Sequence, residues 1–545
     1  MPLYATIFPV MDTQSSSRDD ARNSVIKNTG LMTLGTLLSR ASGLIRTWAM
    51  AFALGNSMLT SAYQVANNLP NVVFELVAGG FLSTAFLPVL LLERERFGKE
   101  GESKYTSNIL NITLILLGAL SVLCSIFAEQ VVATQTFTQS ADSDVYQQTV
   151  MFFRIFAFQL VFYGLGGVIT GVLNAKRSFL LTSVAPALNN IVVIITFFAY
   201  VPLSQVNSTA ALIMLGVGAT LGVAVQFVIQ IPALLKTGYR WRPYINLKDP
   251  AIAETIKIAV PSLIYIVANV VAVSFRNAFS LVGADNGPST LSYAWMWYQL
   301  PYGVVAVSLS STMFTEMSDS VARGDISRFR SQVGQGLRGT LFMIIPLTGL
   351  LFVLAQPLIS LFHAGAFTGD DVYQVSEILQ VWILSLPLYS VGMYLYKAFA
   401  SLRKLMAFAL MNCAIVVLQL ILYAVLCQRG VLGLMGVPVA DFIYFTVRAV
   451  ASVVLLNHYV GKDPQNKTVQ TTIRTVLATV VGCVPTALLL AFIPTISGIG
   501  AMANAIIQLA ICGIVGLAVV FGACRLFRVE EFSIVERFMR RLKRR

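Results

Sequence analysis

The sequence is poor in charge. Of its 545 residues only 12% are Asp, Glu, Lys or Arg, whereas 56% are hydrophobic. A soluble chain of this size could not clothe its surface with so few charges, which excludes an ordinary globular domain and leaves a polytopic membrane protein. Histidine is nearly missing, and both copies, His363 and His458, are isolated. Cysteine is sparse and unpatterned. Cys124, Cys413, Cys427, Cys483, Cys512 and Cys524 fall in or beside apolar runs, with no CxxC pairing and no neighbouring histidine. They read as small buried residues rather than disulfide partners or metal ligands. The N-terminal "MPLYATIFPVMDTQSSSRDDARNS" lacks the basic start and the apolar length of a signal peptide. Residues 1–28 are therefore expected to be a disordered cytoplasmic segment, with Met11 an alternative start.

What is present is a series of apolar runs. Crossing the hydrocarbon core takes ~20 residues of helix. Fourteen runs qualify: 29–53, 62–92, 106–128, 147–173, 180–202, 209–235, 252–281, 289–317, 336–356, 373–400, 405–427, 433–458, 472–494 and 499–524. They are called spans 1 to 14 below. The net charge of +13 is not a nucleic-acid signature, because the basic residues alternate with these spans. Arg94, Arg96, Lys99 and Lys104 follow span 2, and Lys176 and Arg177 follow span 4. Lys236, Arg240, Arg242 and Lys248 follow span 6, and Arg323, Arg328 and Arg330 follow span 8. Arg403 and Lys404 follow span 10, and Lys462 and Lys467 follow span 12. The odd-numbered loops are almost bare, with Arg429 the exception. Positive-inside topology then places both termini in the cytoplasm. A missed span would invert every later loop, so the alternation checks the count as well as the orientation. The tail, residues 530–545, interleaves Phe532, Val535, Phe538 or Met539 and Leu542 with Arg537, Arg540, Arg541 and Lys543. It is expected either to lie on the anionic inner leaflet or to act as a plain basic flank.

A weak repeat recurs at an offset of 226 residues: Gly98 with Gly324, Phe156 with Trp382, Tyr163 with Tyr389, Gly166 with Gly392 and Arg177 with Arg403. Leu69–Pro70 and Leu300–Pro301 open spans 2 and 8 at a slightly larger offset. Six spans separate the copies, so the two halves share an orientation and their axis runs along the membrane normal. The expected fold is an all-α polytopic membrane protein of fourteen transmembrane helices. Two parallel six-helix lobes, 29–235 and 252–458, are joined by an appended pair, 472–524.

Span 1 contains "SRASGLIR", with Arg40 and Arg46 near mid-membrane. Each arginine there costs roughly 2.5–3.5 kcal/mol on insertion scales. Both should therefore face water, a counter-charge or a ligand. In an unbroken helix their side chains diverge by ~120°. Ser42 and Gly43 between them are candidates for a helix break, and Pro70 and Pro301 for hinges. Glu75, at similar depth in span 2, is a candidate partner for Arg40 or Arg46, as part of a site or as a purely structural tie. Arg448 in span 12, with Asp441 seven residues earlier, is the matching candidate in the second lobe. Arg154 and Arg276, nearer their span ends, either line the cavity or snorkel. Arginines outnumber carboxylates at mid-depth, and the guanidinium fork suits phosphate. The residues thus point to a transporter of an anionic, phosphorylated amphiphile.

"SRASGLIR" (39–46), "ANNLPNVVFELVAGGFLSTAFLPVL" (66–90), "GVLNAKRSFLLTSVAPALNNIVVI" (171–194) and "YAWMWYQLPYGVVAVSLSSTMF" (293–314) resemble the MviN/MurJ family of lipid II flippases. That family belongs to the multidrug/oligosaccharidyl-lipid/polysaccharide exporter superfamily. The resemblance covers roughly residues 25–525 and looks most like the actinobacterial branch. It implies an alternating-access flippase of the bacterial cytoplasmic membrane. The implied substrate is lipid II, an undecaprenyl-diphosphate disaccharide-pentapeptide. Arg40 and Arg46 would meet the diphosphate, and spans 13–14 would form a groove for the lipid tail. No cofactor is implied beyond coupling to a monovalent cation or the membrane potential, and the implied partners are membrane lipids and cell-wall synthesis proteins. The chain departs from many members at Ser61, where they carry an acid, and at Phe74 and Glu75, where they carry adjacent basic residues. It departs again at Met296 and Gln299, where they carry Arg and Glu. The alternatives are an exporter of another lipid-linked oligosaccharide or of drugs, and a membrane enzyme acting on a polyprenyl phosphate. The fourteen spans weigh against a drug exporter. The scattered Asp142, Asp144, Asp285, Asp370 and Asp371 weigh against the enzyme.

Overall fold

The structure is a computed structural model that describes residues 15–79, 86–176, 178–248, 250–463, 467–493, 496, 498–533 and 536. Every regular element among them is helical. Residues 1–14, Arg177 and most of the tail, including Val535 and residues 537–545, lie outside the described residues; residues 15–28, expected to be disordered, are instead helical and form the start of the helix Ser15–Leu54.

Nine helices are long and apolar enough to cross a membrane, and two bent pairs bring the number to eleven among the described residues. The three sequence spans outside that set are 1, 2 and 8. Each is helical where described, but in each the apolar run or the α-helical geometry is interrupted. Span 1, in the helix Ser15–Leu54, holds Arg40 and Arg46. Span 2, Met58–Phe74, holds Asn67, Asn68 and Asn71 and runs into a π-turn at Glu75–Gly79. Span 8 begins at Gly287–Pro301, passes through a π-turn at Tyr302–Ala306 and continues as Val307–Ala322. Polar side chains and π-turns lower the apolarity of a span and are frequent where a helix lines a site.

The repeat is visible in backbone geometry. Asp144–Phe156 and Gln159–Ala175 meet at 45°, and Gly369–Ile383 and Leu386–Ser401 meet at 51°. These bends fall at equivalent places, beside Phe156 and Trp382. Gly98 and Gly324 both take left-handed φ, +65° and +74°, a region only glycine enters without strain. Both Leu–Pro pairs precede a π-turn.

Packing follows the halves. In the first, span 1 packs on Phe179–Val206 (span 5), which packs on Ser208–Val228 (span 6). In the second, Pro250–Gly283 (span 7) packs on Leu405–Leu426 (span 11), which packs on Gly436–Val460 (span 12). Thr468–Phe492 and Gly500–Leu526 (spans 13 and 14) pack together and against Ile326–Val353 (span 9).

The tail begins differently from the sequence expectation. Glu531 and Phe532 are buried. Phe532 joins Val529, Phe342 and Val520 in an apolar cluster. Glu531 accepts from Arg338 Nε at 2.7 Å and from the Thr471 hydroxyl at 3.2 Å. An arginine of span 9 with a free guanidinium recruits the carboxylate, so this stretch is clipped to protein rather than laid on lipid.

Candidate functional site

A cavity of about 370 Å³ lies between the halves. Span 2 contributes Asn68, Asn71 and Glu75; span 7 contributes Tyr265, Asn269 and Arg276; spans 11 and 12 contribute Gln419, Tyr423, Asp441 and Arg448. A second chamber of about 220 Å³ adjoins it and shares Asn68, Asn71, Arg276 and Trp295 with it. A third, about 50 Å³, reaches into the first lobe and shares Gln64 and Asn67 with the second.

The arginines occupy separate stations. The helix holding "SRASGLIR" is unbroken, so Ser42 and Gly43 do not interrupt it. The Ser42 hydroxyl donates to the Ser39 carbonyl at 2.9 Å and accepts from Asn190 Nδ2 at 2.9 Å. Thr47 donates to the Gly43 carbonyl at 3.1 Å. Local hydroxyl bonds thus occupy the groups that a break would free, and Ser42 ties span 1 to span 5. An unbroken helix keeps Arg40 and Arg46 divergent. Arg46 lines the small first-lobe chamber with Tyr63, Tyr163 and Asn189. Arg40 reaches the second lobe, where a Cβ on Gly303 would lie 3.2 Å from its Nη1.

Glu75 does not partner either of them. Among the described residues it makes no ion pair, and it lines the large cavity instead. Depth along a span fixes height but not direction, and Glu75 opens a π-turn, which rotates its side chain off the α-helical face.

Arg276 lines both larger chambers, 5.5 Å from the Trp295 ring and 5.8 Å from the Trp382 ring. Arg448 is 2% exposed and sits among Tyr389, Tyr444 and Phe445 at 5.1–5.9 Å from their ring centres. It does not pair with Asp441. That carboxylate accepts from Trp382 Nε1 at 2.8 Å, from Gln419 Nε2 at 2.8 Å and from the Tyr423 hydroxyl. Arg154 is not in the cavity; it meets Glu129 at 3.1 Å with its side chain half exposed. Pro70 and Pro301 are buried, each just before its π-turn.

The sequence reading missed two things. One is the clasp of Trp382, Gln419 and Tyr423 around Asp441, which joins three separate spans. The other is the amide wall of Asn67, Asn68 and Asn71, which was legible as three asparagines on one turn of span 2. Both follow the rule that polar groups at bilayer depth turn inward.

Hydrogen bonds between the lobes gather at the end of the bundle holding Gly55. Asn56 Nδ2 donates to Thr290 Oγ1 at 2.9 Å and to Gln374 Oε1 at 3.1 Å. The Tyr293 hydroxyl donates to the Gly55 carbonyl at 3.0 Å, and the Ala366 amide to the Phe52 carbonyl at 2.9 Å. Ser61 is fully buried and accepts from the Ser289 amide at 3.2 Å. Gly55 and Gly365 hold φ of +66° and +60°, each against a backbone carbonyl of the other lobe, where a Cβ would not fit.

Two halves of like orientation, sealed at one end and enclosing a polar cavity in an apolar bundle, define a polytopic membrane transporter rather than an enzyme. A family model described as lipid II flippase MurJ matches residues 50–507, and the chain belongs to that family. A probable lipid II flippase MurJ of Bdellovibrio bacteriovorus is 27% identical over 460 residues, 82% of this chain and 85% of that one. The lipid II flippase MurJ of Burkholderia cenocepacia is 29% identical over 371 residues, 67% of this chain and 70% of its own length. Among solved structures, a lipid II flippase MurJ in an inward closed conformation shares the fold with a TM-score of 0.72. It is 21% identical, covering 90% of this chain and 97% of that one. An inward-facing multidrug resistance MATE family transporter of the MOP superfamily follows at 0.65, with 13% identity over 77% of this chain and 94% of that one.

Proposed function

We propose that this chain carries lipid II from the inner to the outer leaflet of the bacterial cytoplasmic membrane by alternating access. The observation that carries the reading is a set of adjoining chambers between the lobes, lined by Arg46 of the first lobe and by Arg276 and Arg448 of the second, in a member of this family. In this reading residues 29–235 and 252–458 are the moving lobes. Residues 472–524 offer the lipid tail its groove. Both termini are cytoplasmic, so the Gly55 end is the outer one and the structure is closed to the outside. Arg40 and Arg46 neutralise the diphosphate. A diphosphate offers oxygen acceptors to guanidinium groups that otherwise sit unpaired at depth, where each costs roughly 2.5–3.5 kcal/mol. The π-turns after Pro70 and Pro301 take up the rocking. An inside-negative potential, with or without a monovalent cation, drives an anion outward by about 2.3 kcal/mol per charge per 100 mV. Membrane lipids surround the chain, and cell-wall synthesis proteins consume what it delivers.

The test is reconstitution in liposomes with labelled lipid II and a modifying enzyme outside. Protein-dependent exposure of the headgroup, faster with a potential, is expected. Arg46→Ala should slow it at least roughly ten-fold, the scale of a lost charge-assisted hydrogen bond. An absence of protein-dependent exposure would overturn the reading.

A further inference from the structure

We infer that Arg448, assisted by Arg276, forms a second anion subsite on the second-lobe wall of the cavity, one that takes a carboxylate of the peptide part of the precursor. This rests on the flippase reading above.

Arg448 borders a cavity of about 370 Å³ and yet is only 2% exposed. Among the described residues its charge has no carboxylate partner. Asp441 is occupied by its three donors, and Glu75, on the first-lobe wall of the same cavity, makes no ion pair among the described residues. What holds Arg448 is a box of rings, together with one bond from Nη1 to the Tyr444 hydroxyl at 3.4 Å. Its Nε and Nη2 have no hydrogen-bond partner among the described residues. Those two N–H groups form one edge of the guanidinium, and that edge takes a flat two-oxygen group through parallel bonds. The edge is turned to Gly392, where a Cβ would stand 2.6 Å from Nη2 and 2.7 Å from Nε. A residue without a side chain is therefore what gives the fork its parking place beside the cavity. Binding requires only that the side chain swing from Gly392 into the space it already borders.

The location selects the ligand group. Arg46 lines the small first-lobe chamber, and no residue of that chamber also lines the cavity of Arg448. The middle chamber adjoins both, sharing Gln64 and Asn67 with the first and Asn68 and Asn71 with the second. A ligand with a single charge centre cannot serve both stations. A precursor with a diphosphate at one end of its headgroup and peptide carboxylates at the other can. Arg276, which lines the middle chamber and the large cavity, is placed to guide the second anion inward.

The full-length protein in nanodiscs, with two synthetic probes, tests this. One probe is the lipid-linked precursor with free peptide carboxylates; the other has those carboxylates amidated. Wild type should bind the free acid about ten-fold more tightly or better, as for one charged bidentate contact. Arg448→Gln should bring the free acid down to the amide, and Arg448→Lys should fall between. Arg40→Gln should weaken both probes and preserve their ratio. Equal binding of the two probes by wild type, or an unchanged ratio in Arg448→Gln, overturns the subsite. Equal loss of both probes in Arg448→Gln, with a lowered melting temperature, makes Arg448 a packing residue and also overturns it. If wild type binds neither probe, it is the flippase reading that fails.

Discussion

Four arginines at bilayer depth are each kept by a different means. Arg276 rests on tryptophan rings, Arg448 among tyrosine and phenylalanine rings, Arg46 beside tyrosines and amides, and Arg40 against the backbone of the opposite lobe at Gly303. Ring faces hold a cation without neutralising it, so the charge stays available to a ligand. Arg40 depends most on shape. A Cβ at 303 would meet Nη1 at 3.2 Å and Cζ at 3.6 Å, a contact that a small shift of the flexible guanidinium relieves. Gly303→Ala should therefore be mild. Gly303→Val, with a branch where the guanidinium lies, should cut flipping several-fold at unchanged melting temperature; normal flipping by the valine variant would remove Arg40 from the crossing between lobes. The arginines were legible because burial cost singles out charges by depth. Their partners were not. Glu75 shares their depth but turns elsewhere, and the Asp441 clasp depends on contacts among three spans that no local pattern encodes.

Among the elements, the proline-headed π-turns and the clipped tail are the two that bear on motion. A π-turn adds a residue to a helical turn and leaves its hydrogen bonding easier to rearrange. Pro70 and Pro301 precede one in each lobe, and Glu75 puts the first-lobe one on the cavity wall. The sequence marked both sites by proline. It also marked Ser42–Gly43, wrongly, because the helix Ser15–Leu54 runs through them and Ser42 is tied instead to Ser39 and Asn190. The tail acts on spans 9, 13 and 14. The Arg338–Glu531 pair is largely buried, with side-chain exposures of 17% and 9%, so removing one partner strands the other. Arg338→Ala should lower stability by about 3 kcal/mol, and Arg338→Leu with Glu531→Leu should recover most of it. Thermal unfolding in detergent reads both, and an unaltered midpoint in the single variant would show the clip to be idle. Beside it, Lys467 at 2.6 Å holds the Glu530 carboxyl below its usual range. A depressed carboxyl pKa contributes above the unfolded value and fades as pH falls through the folded one. This contact should therefore persist at neutral pH and release only in acid.

At the scale of the whole molecule, two halves meet firmly at the Gly55 end and enclose chambers behind it. The all-helical plan and the repeat were legible from apolar runs and a shared offset, and the eleven candidate spans among the described residues are compatible with the fourteen expected. The closed seam was not, because Asn56, Thr290, Asn286 and Gln374 look like ordinary surface residues until two distant segments meet. If the seam must part in each cycle, cysteines at 56 and 290, in a background lacking the half-buried Cys413 and Cys483, should arrest flipping on oxidation and restore it on reduction. Flipping that survives complete cross-linking would show that this end never opens.

The seam is also built from neutral groups: amides, hydroxyls and backbone carbonyls. The buried Ser61 hydroxyl takes part as well. Attraction between ions weakens in brine and alters with acidity, whereas bonds between buried neutral groups scarcely respond to either. A bacterium regulates its interior but not its surroundings. In the proposed orientation the seam faces those surroundings, and a door fastened without charge keeps the same hold in fresh water, in salt and in acid, so the decision to open it would stay with what arrives from within.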